Sequence, residues 1–431
     1  MSKYTDTIYA PSTPTGRSAI AIIRVSGKNS KKILKQISPI KKPLPNKTEV
    51  VFLTFKKKLI DQAVTTYFKA PKSYTGQEMI EISCHGSIAT IKKICQTLEV
   101  LGARLAEPGE FTKRALMNNK LDLVQTESLS DLINSETEKQ RSLAISNLSG
   151  GLSFFNNDIN NEIKLILANI EASIDFSDED LPRNLFKRIK EQNKNIILKI
   201  EKEINKSQLA KPIRDGFIVS VVGRPNTGKS SFINYVSKKE VSIVTSLPGT
   251  TTDAVTSVID IDGYKFTFVD TAGLRKHKNK IEEIGIKKTK EIMLKSDLNL
   301  VFIEKKETSK YKNIKNKIFV KSKLDKRKNV KNLKGLINIS SVTGTGIDKL
   351  LNKSKEKLIK RQKHVPILSR ERHITIMKNV LKELKSVDFN KSLDILAFKY
   401  REALRLSQEM NQRFDIENIL DIIFKDFCIG K

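Results

Sequence analysis

The chain has 431 residues, enough for several domains, and sets 79 Lys+Arg against 48 Asp+Glu, a formal net charge of +31. Three sparse cysteines, Cys84, Cys95 and Cys428, exclude a disulfide-stapled scaffold and predict a reducing compartment. No apolar run approaches the roughly 18 residues of a membrane span, and the polar, turn-rich start lacks a signal peptide's apolar core, so a cytoplasmic protein without a membrane partner is expected. The charge fits a polyanionic partner. It fits a chain-wide drift towards Lys, Asn and Ile equally well, because the lysines are spread rather than clustered.

Residues 1–118 alternate short apolar runs with turns. Runs 19–25, 50–55 and 63–68 predict strands and 31–37 and 88–101 predict helices, an α+β domain. Polar clusters sit at its glycine turns: Pro14-Thr15-Gly16-Arg17, Ser73-Tyr74-Thr75-Gly76-Gln77-Glu78, Cys84-His85-Gly86 and Pro108-Gly109-Glu110-Phe111-Thr112. Such clusters line ligand sites, and they also form ordinary turns. Cys84 and His85 have no further His or Cys at metal-ligand spacing, and both Cys84 and Cys95 read as structural.

From 119 to 212 the periodicity is helical. Ile159, Ile163, Ile166, Ile170 and Ile174 form one stripe; Ile189, Ile196, Ile200 and Ile204 continue it after an acidic run at 175–180. Residues 213–351 read as α/β, and 352–431 return to helical stripes: Val380, Leu381 and Leu384; Leu393, Leu396 and Tyr400; Ile416, Ile419, Leu420 and Ile423. Helical segments on both sides of an α/β segment predict one all-α bundle interrupted by an inserted domain.

The α/β segment carries the chemistry. The apolar run 217–222 leads into Gly223-Arg224-Pro225-Asn226-Thr227-Gly228-Lys229-Ser230-Ser231, which is G-x-x-x-x-G-K-S between a strand and a helix. Its backbone N–H groups and the helix N-terminus cradle phosphates, Lys229 reaches the β- and γ-phosphates, and Ser230 holds Mg²⁺. Thr245-Ser246-Leu247-Pro248-Gly249-Thr250-Thr251 follows, with a threonine suited to complete the Mg²⁺ shell. Asp270-Thr271-Ala272-Gly273 then ends a strand, with Asp270 placed for Mg²⁺ and the Gly273 N–H for the γ-phosphate. Two such loops make a switch and predict a GTPase.

Guanine is read by Asn-Lys-x-Asp after a strand; here Ser322-Lys323-Leu324-Asp325 stands in that place, with Ser340-Ser341 as a degenerate last base loop. Asp325 can still select guanine, while loss of the Asn amide is expected to loosen the loop or lower affinity. Leu274 occupies the position of a water-orienting glutamine. Glu282 is a substitute for it, although by pattern alone it reads more readily as a solvated helix charge. Cys428, by composition alone, reads as a thiol packed behind Phe427.

The domain order, the stretches Pro14-Thr15-Gly16-Arg17, Pro108-Gly109-Glu110-Phe111, Lys120-Leu121-Asp122-Leu123, Asp270-Thr271-Ala272-Gly273-Leu274-Arg275 and Ile284-Gly285-Ile286, and the terminal Phe427-Cys428-Ile429-Gly430-Lys431 together resemble the MnmE (TrmE) family over residues 4–431. These are tRNA wobble-uridine modification GTPases. The resemblance implies an N-terminal folate-binding and dimerisation domain (1–118), a helical domain in two parts (119–212 and 352–431) and a GTPase domain (213–351). It implies a tetrahydrofolate donor (5-formyl or 5,10-methylene) contacted by Arg24, Glu81, Lys120 and Lys431. It assigns K⁺ to Asn226, Thr245, Leu247 and Thr250, and the attacking water to Glu282 across a homodimer of GTPase domains. The K⁺ would place positive charge where an arginine finger does. Cys428 becomes a thiol of the modification chemistry, its thiolate favoured by Lys431. The implied partners are GTP/GDP, tRNA and a FAD-binding flavoprotein, MnmG (GidA), in a heterotetramer. The implied product carries an aminomethyl or carboxymethylaminomethyl group on C5 of wobble uridine U34. Two departures, Thr252 for the usual arginine and Ser322 for Asn, put turnover and affinity in question. The alternative is an RNA-binding ribosome-assembly GTPase. Such proteins share the Gly-Arg-Pro-Asn loop but lack the Cys-Ile-Gly-Lys tail.

Overall fold

The computed structural model describes residues 6–14, 16–175, 184–239, 256–270, 291–304, 311, 313–326, 335–359, 366–411 and 430. Two compact units emerge: Met1–Ile133 with Asn147–Ala168 and Ala397–Lys431, and Asn134–Ser146 with Asn169–Leu396.

The first unit is built on six strands: β1 (Ile8–Pro11), β2 (Ile20–Ser26), β3 (Thr48–Phe55), β4 (Lys58–Phe68), β5 (Met79–His85) and β6 (Arg104–Leu105). Their order is β3-β4-β5-β2-β1-β6. Neighbours run antiparallel except β1 and β6. Period-two alternation decides the two faces. Ile23, Val25, Val51, Leu53, Ala63, Tyr67, Ile80 and Ile82 pack under the helices Ser30–Ile37 and Ile88–Val100, which contribute Ile33, Leu34, Ile37, Ile94 and Leu98. Cys84 belongs to this core and Cys95 packs against it. Burial first, then the nearby Asp61, pushes the Cys84 thiol up to about 11, so it stays protonated and unreactive at neutral pH. The opposite face leaves Ile20, Val50, Phe52 and Val64 exposed.

The predicted strands and helices are present, each within a few residues. β1, β5 and β6 go beyond them. β1 and β6 are too short to show a period. β5, Met79 to His85, alternates buried and part-buried residues, but polar Glu81 and Ser83 break its apolar run.

The second unit holds β7 (Phe217–Gly223), β8 (Thr256–Ile261), β9 (Tyr264–Asp270), β10 (Leu298–Phe302), β11 (Lys317–Lys321) and β12 (Leu336–Asn338), ordered β12-β11-β10-β7-β9-β8. All pair in parallel except β8 with β9. Phe232, on the helix Lys229–Lys239, is fully buried against Phe268 and Phe302, with ring centroids 5.7 and 5.6 Å away. The helix Ile347–Leu358 adds Ile347, Leu350 and Leu351 to the same core.

Helical segments before and after the α/β stretch bond to each other within both units. In the first unit, Asn156, on the helix Gly151–Asp175, donates to Ser407 O at 3.2 Å and accepts from Ser407 Oγ at 2.8 Å. In the second, Leu185–Lys206 packs with Glu371–Lys385, and Asn193 Nδ2 donates to Leu384 O at 3.2 Å. The predicted stripes supply the contacts: Ile159, Ile163, Ile166 and Ile170 are fully buried, as are Ile196, Ile200 and Val380. Ile174, Ile204 and Leu381 are only half-buried. This is an α/β domain inserted into a helical one. The stripe at Ile416 to Ile423 lies outside the described residues.

Candidate functional site

Nucleotide chemistry is concentrated at the carboxyl ends of parallel strands, where an open α/β sheet leaves a crevice. β7 ends in the phosphate loop, and two of its glycines are required by close approach. A Cβ at Gly223 (φ +151°) would stand 2.4 Å from Phe302 O, and one at Gly228 (φ +86°) 2.6 Å from Ser322 Oγ. Lys229 is buried, with Nζ donating to Arg224 O at 2.6 Å. Ser230 Oγ donates to Asp270 Oδ2 at 2.9 Å, joining the loop's helix to the end of β9. That pair of hard oxygen donors fits Mg²⁺. Asn226 stands at φ +64° and Lys323 at φ +60°, both in the left-handed region that non-glycine residues seldom adopt.

The base-reading loop leaves β11 and lies on the phosphate loop. Ser322 Oγ donates to Thr227 O at 2.5 Å, and Lys323 Nζ donates to Asn226 O at 2.6 Å. Asp325 accepts from Ser340 Oγ at 2.6 Å, a bond that holds its carboxyl below the usual carboxylate range. Ser340 Oγ also accepts from the backbone N–H groups of Val342 and Thr343. Ser231 lies in the first turn of the helix Lys229–Lys239, and Ser341 follows Ser340 in its loop. The tie that an Asn amide was expected to supply is thus made by a serine hydroxyl.

In the first unit, Arg24 on β2 and Glu81 on β5 are direct cross-strand partners, joined by a 2.7 Å Nε–Oε1 ion pair. Tyr74 places its ring 5.5 Å from the Arg24 guanidinium and hydrogen-bonds Thr112 at 2.8 Å. A Cβ at Gly76 would meet Asn118 and the stem of Lys120, so the loop 73–77 links the Arg24 pair to Lys120. That loop is tied throughout. Asn118 Nδ2 donates to Thr75 O at 2.7 Å, Ser26 Oγ shares a hydrogen with Thr75 Oγ1 at 2.7 Å, and Gln77 Oε1 accepts from Arg114 Nη1 at 3.1 Å.

Arg114 is fully buried and also reaches Glu110 and Asp6. Glu110, the acidic residue of Pro108-Gly109-Glu110-Phe111-Thr112, therefore serves the scaffold beneath the loop. Asp122 likewise caps the helix Leu123–Ile133 reciprocally with Gln125 and accepts from Ser153. Tyr74 lies in one of the polar clusters read at the glycine turns, while Arg114 carries no signal in the sequence that sets it apart from any helical arginine. Gly430 packs on the end of β1: Ser12 Oγ donates to its carbonyl at 3.0 Å, and at φ +105° an added Cβ would lie 2.3 Å from Pro11 O.

Glu282, Cys428, Lys431, Thr245 to Thr251, Thr252 and Thr271 to Gly273 lie outside the described residues. Among the described residues no helix is long and apolar enough to cross a membrane.

The inserted parallel sheet, its glycine phosphate loop and the aspartate and base loops around it define a P-loop GTPase domain set within a helical domain. Residues 7–120 match the family model "GTP-binding protein TrmE N-terminus", and residues 123–428 match "MnmE helical domain". The tRNA modification GTPase MnmE of Pelagibacter ubique is 37% identical over 452 residues, covering 99% of this chain and 100% of that one. That of Aquifex aeolicus is 35% identical over 448 residues, covering 98% and 99%. A solved G domain of the T. maritima FeoB iron transporter is 24% identical over 33% of this chain and 98% of that chain, with a TM-score of 0.27. The chain belongs to the MnmE family, and it is a GTP-hydrolysing enzyme.

Proposed function

We propose that this chain is the GTP-hydrolysing component of a complex that adds an aminomethyl or carboxymethylaminomethyl group to C5 of the wobble uridine of certain tRNAs. In this reading residues 1–118 bind a tetrahydrofolate one-carbon donor, 119–212 and 352–431 form the helical domain, and 213–351 hydrolyse GTP. Arg24 and Lys120 suit the carboxylates of a folate's glutamate tail, and Glu81 suits a pterin's amino and ring N–H groups. The observation that carries the reading is the seating of Gly430 on Pro11 and Ser12. β1 pairs with β2 so that Ala10 faces Arg24, and Gly430 of the Cys-Ile-Gly-Lys motif is thus seated beside the strand that bears Arg24, which supports a site that draws on both.

At the nucleotide, Lys229 and the N–H groups of the phosphate loop bind the phosphates, and Asp325 accepts from the base. Ser230, with Thr251, is suited to hold Mg²⁺, which when bound neutralises charge on the β- and γ-phosphates. Asn226, Thr245, Leu247 and Thr250 are the K⁺ set, and Glu282 orients the attacking water. The open face of the first sheet, with Ile20, Val50, Phe52 and Val64 exposed, supports homodimerisation through residues 1–118. The FAD-binding partner and the tRNA complete the assembly.

Nucleoside mass spectrometry of tRNA from cells lacking this protein is the test. The reading expects C5-unmodified wobble uridine, restored by the wild-type gene and not by Cys428→Ser, which keeps hydrolysing GTP. Unchanged wobble uridine would overturn the reading in favour of a ribosome-assembly GTPase.

A further inference from the structure

We propose that the groove between the helix Ile347–Leu358 and the edge of the inserted sheet binds the phosphate backbone of RNA without reading its sequence. This rests on tRNA being the partner and adds a surface for it.

The groove encloses about 1010 Å³. Ile318, at the start of β11, and Leu336 and Ile337, at the start of β12, line its floor. β12 is the edge strand of the sheet. The nucleotide crevice lies at the carboxyl ends of the same strands, where Asp325 follows β11, so the groove sits at the opposite end from the nucleotide. The helix forms the wall. It buries Ile347, Leu350, Leu351 and Ser354. Its neighbouring stripe, Lys349, Asn352, Lys353, Glu356 and Lys357, recurs at three- and four-residue spacing and lines the groove. A polar stripe is ordinarily a solvated face. Here it shares a cavity with the sheet edge, and Lys317 of β11 brings a fourth lysine into the lining. Lys357 Nζ donates to Lys317 O at 2.7 Å and ties helix to strand.

The lining therefore sets four lysines against one acid, although lysines are spread along the chain as a whole. Glu356 pairs with Lys353 at 3.4 Å, but both side chains are more than half exposed, so water screens the pair and it neutralises little. Desolvation, then the charges of Lys317 and Lys353, hold the Lys357 ammonium below the usual lysine range. Like charges gathered around a concavity raise its potential and draw an anion to it, and a bound anion relieves their repulsion. The lining residues narrow the class of anion. They include no arginine and no aromatic ring, so neither a bidentate fork nor a stacking platform is present, and lysines meet phosphates as point charges. Such contacts position a nucleic acid and carry no sequence information. Lys349 to Lys357 spans about 12 Å of helix, which suits successive phosphates of a strand and not a single small anion. Asn352, within that span, offers an amide able to bond a ribose 2′-OH, the group that marks RNA.

The test measures binding of an unmodified tRNA transcript to the full chain across salt concentrations, with GTP hydrolysis followed alongside. Combining Lys349→Gln, Lys353→Gln and Lys357→Gln should weaken binding at least about tenfold and lower the slope of log affinity against log salt by about two to three. GTP hydrolysis should be unchanged, because the nucleotide lies at the other end of the sheet. Glu356→Lys should do the reverse, tightening binding and raising the slope by about one. A triple variant that binds tRNA as wild type does, or a Glu356→Lys variant that binds more weakly, would overturn the groove and leave the modification reading standing. Unchanged wobble uridine in cells lacking the protein would overturn that reading and leave the groove standing. Pyrophosphate binding lost in the triple variant with tRNA binding unaltered would overturn the proposal in favour of a free anion. Poly-glutamate that binds wild type as tightly as tRNA and is lost in the triple variant would overturn it in favour of an acidic protein segment.

Discussion

Glu110→Gln tests the scaffold under the proposed folate site. The Glu110 side chain is 1% exposed and accepts from five donors: Arg104 Nη1 and Nη2 at 3.1 and 2.8 Å, Arg114 Nε and Nη2 at 3.3 and 2.8 Å, and Glu107 N at 2.9 Å. The amide removes one negative charge and turns one accepting oxygen into a donor facing guanidinium. Breaking a buried pair from one side costs roughly 3–5 kcal/mol. Arg114 keeps Asp6, through Nη2 to Oδ1 at 2.6 Å and Nη1 to the carbonyl at 2.8 Å, so the lower end, about 3 kcal/mol, applies. The damage should be local. Arg114 also holds Gln77, so the loop 73–77 should loosen together with the helix Glu110–Met117.

Hydrogen-exchange mass spectrometry of the intact protein should show about a hundredfold faster exchange in both segments and an unaltered G-domain sheet. Protection within a factor of about five of wild type in both segments would refute the account. The same network sets an acid limit. Burial pushes the carboxyls of Glu110 and Asp6 up, but hydrogen bonds from Arg104 and the charge of Arg114 outweigh it and hold both below the ordinary range. Depressed native pKa values mean that the unfolded chain binds more protons in acid. The stabilisation is therefore complete above the usual carboxylate range of about 4 and lost as pH falls through the lower native values. Glu110→Gln should flatten that acid limb.

Two further expectations address the sites directly. Replacing K⁺ by Na⁺ should slow GTP hydrolysis strongly in wild type and have little further effect in Asn226→Ala; equal rates in the two salts would remove Asn226 from a cation role. Tyr74→Phe removes the hydroxyl bond to Thr112 but keeps the ring beside Arg24, and should weaken binding of a tetrahydrofolate by about two- to tenfold in calorimetry. Tyr74→Ala, which also removes the ring, should weaken it further, and unchanged affinity in both variants would separate Tyr74 from the site.

What the sequence made legible follows the range of the interactions involved. The phosphate loop, Asp270 and the base loop were readable because phosphate binding is local: a strand end, a glycine turn and a helix N-terminus are consecutive in the chain. The isoleucine stripes of 159–170 and 189–200 were readable for the same reason, since a helix's buried face repeats within a few residues. The Arg114 network was not, because Asp6, Gln77 and Arg104 are brought to it from distant parts of the first unit, and only Glu110, one helical turn earlier, is local. The β3–β4 hairpin was missed as a turn for a different reason. Its two connecting residues, Lys56 and Lys57, hold φ +48° and +61°, where sequence rules look for Asn or Gly.

The departures from the guanine-reading pattern bear on whether the site works. A decaying nucleotide site would keep its motif letters by chance and lose their contacts. Here the reverse holds: Ser322 has lost the letter and kept a contact to the phosphate loop, through a shorter side chain at shorter range. Lys323 makes the neighbouring contact, Asp325 accepts from Ser340, and Ser230 meets Asp270. Two of these bonds join the base loop to the phosphate loop, one joins it to the loop after β12, and one joins the phosphate-loop helix to the end of β9. Together they hold the phosphate loop, the aspartate and the base loop in one arrangement around the altered residue. The space beside Gly228 is filled by Ser322, whose Oγ would lie 2.6 Å from a Cβ added there.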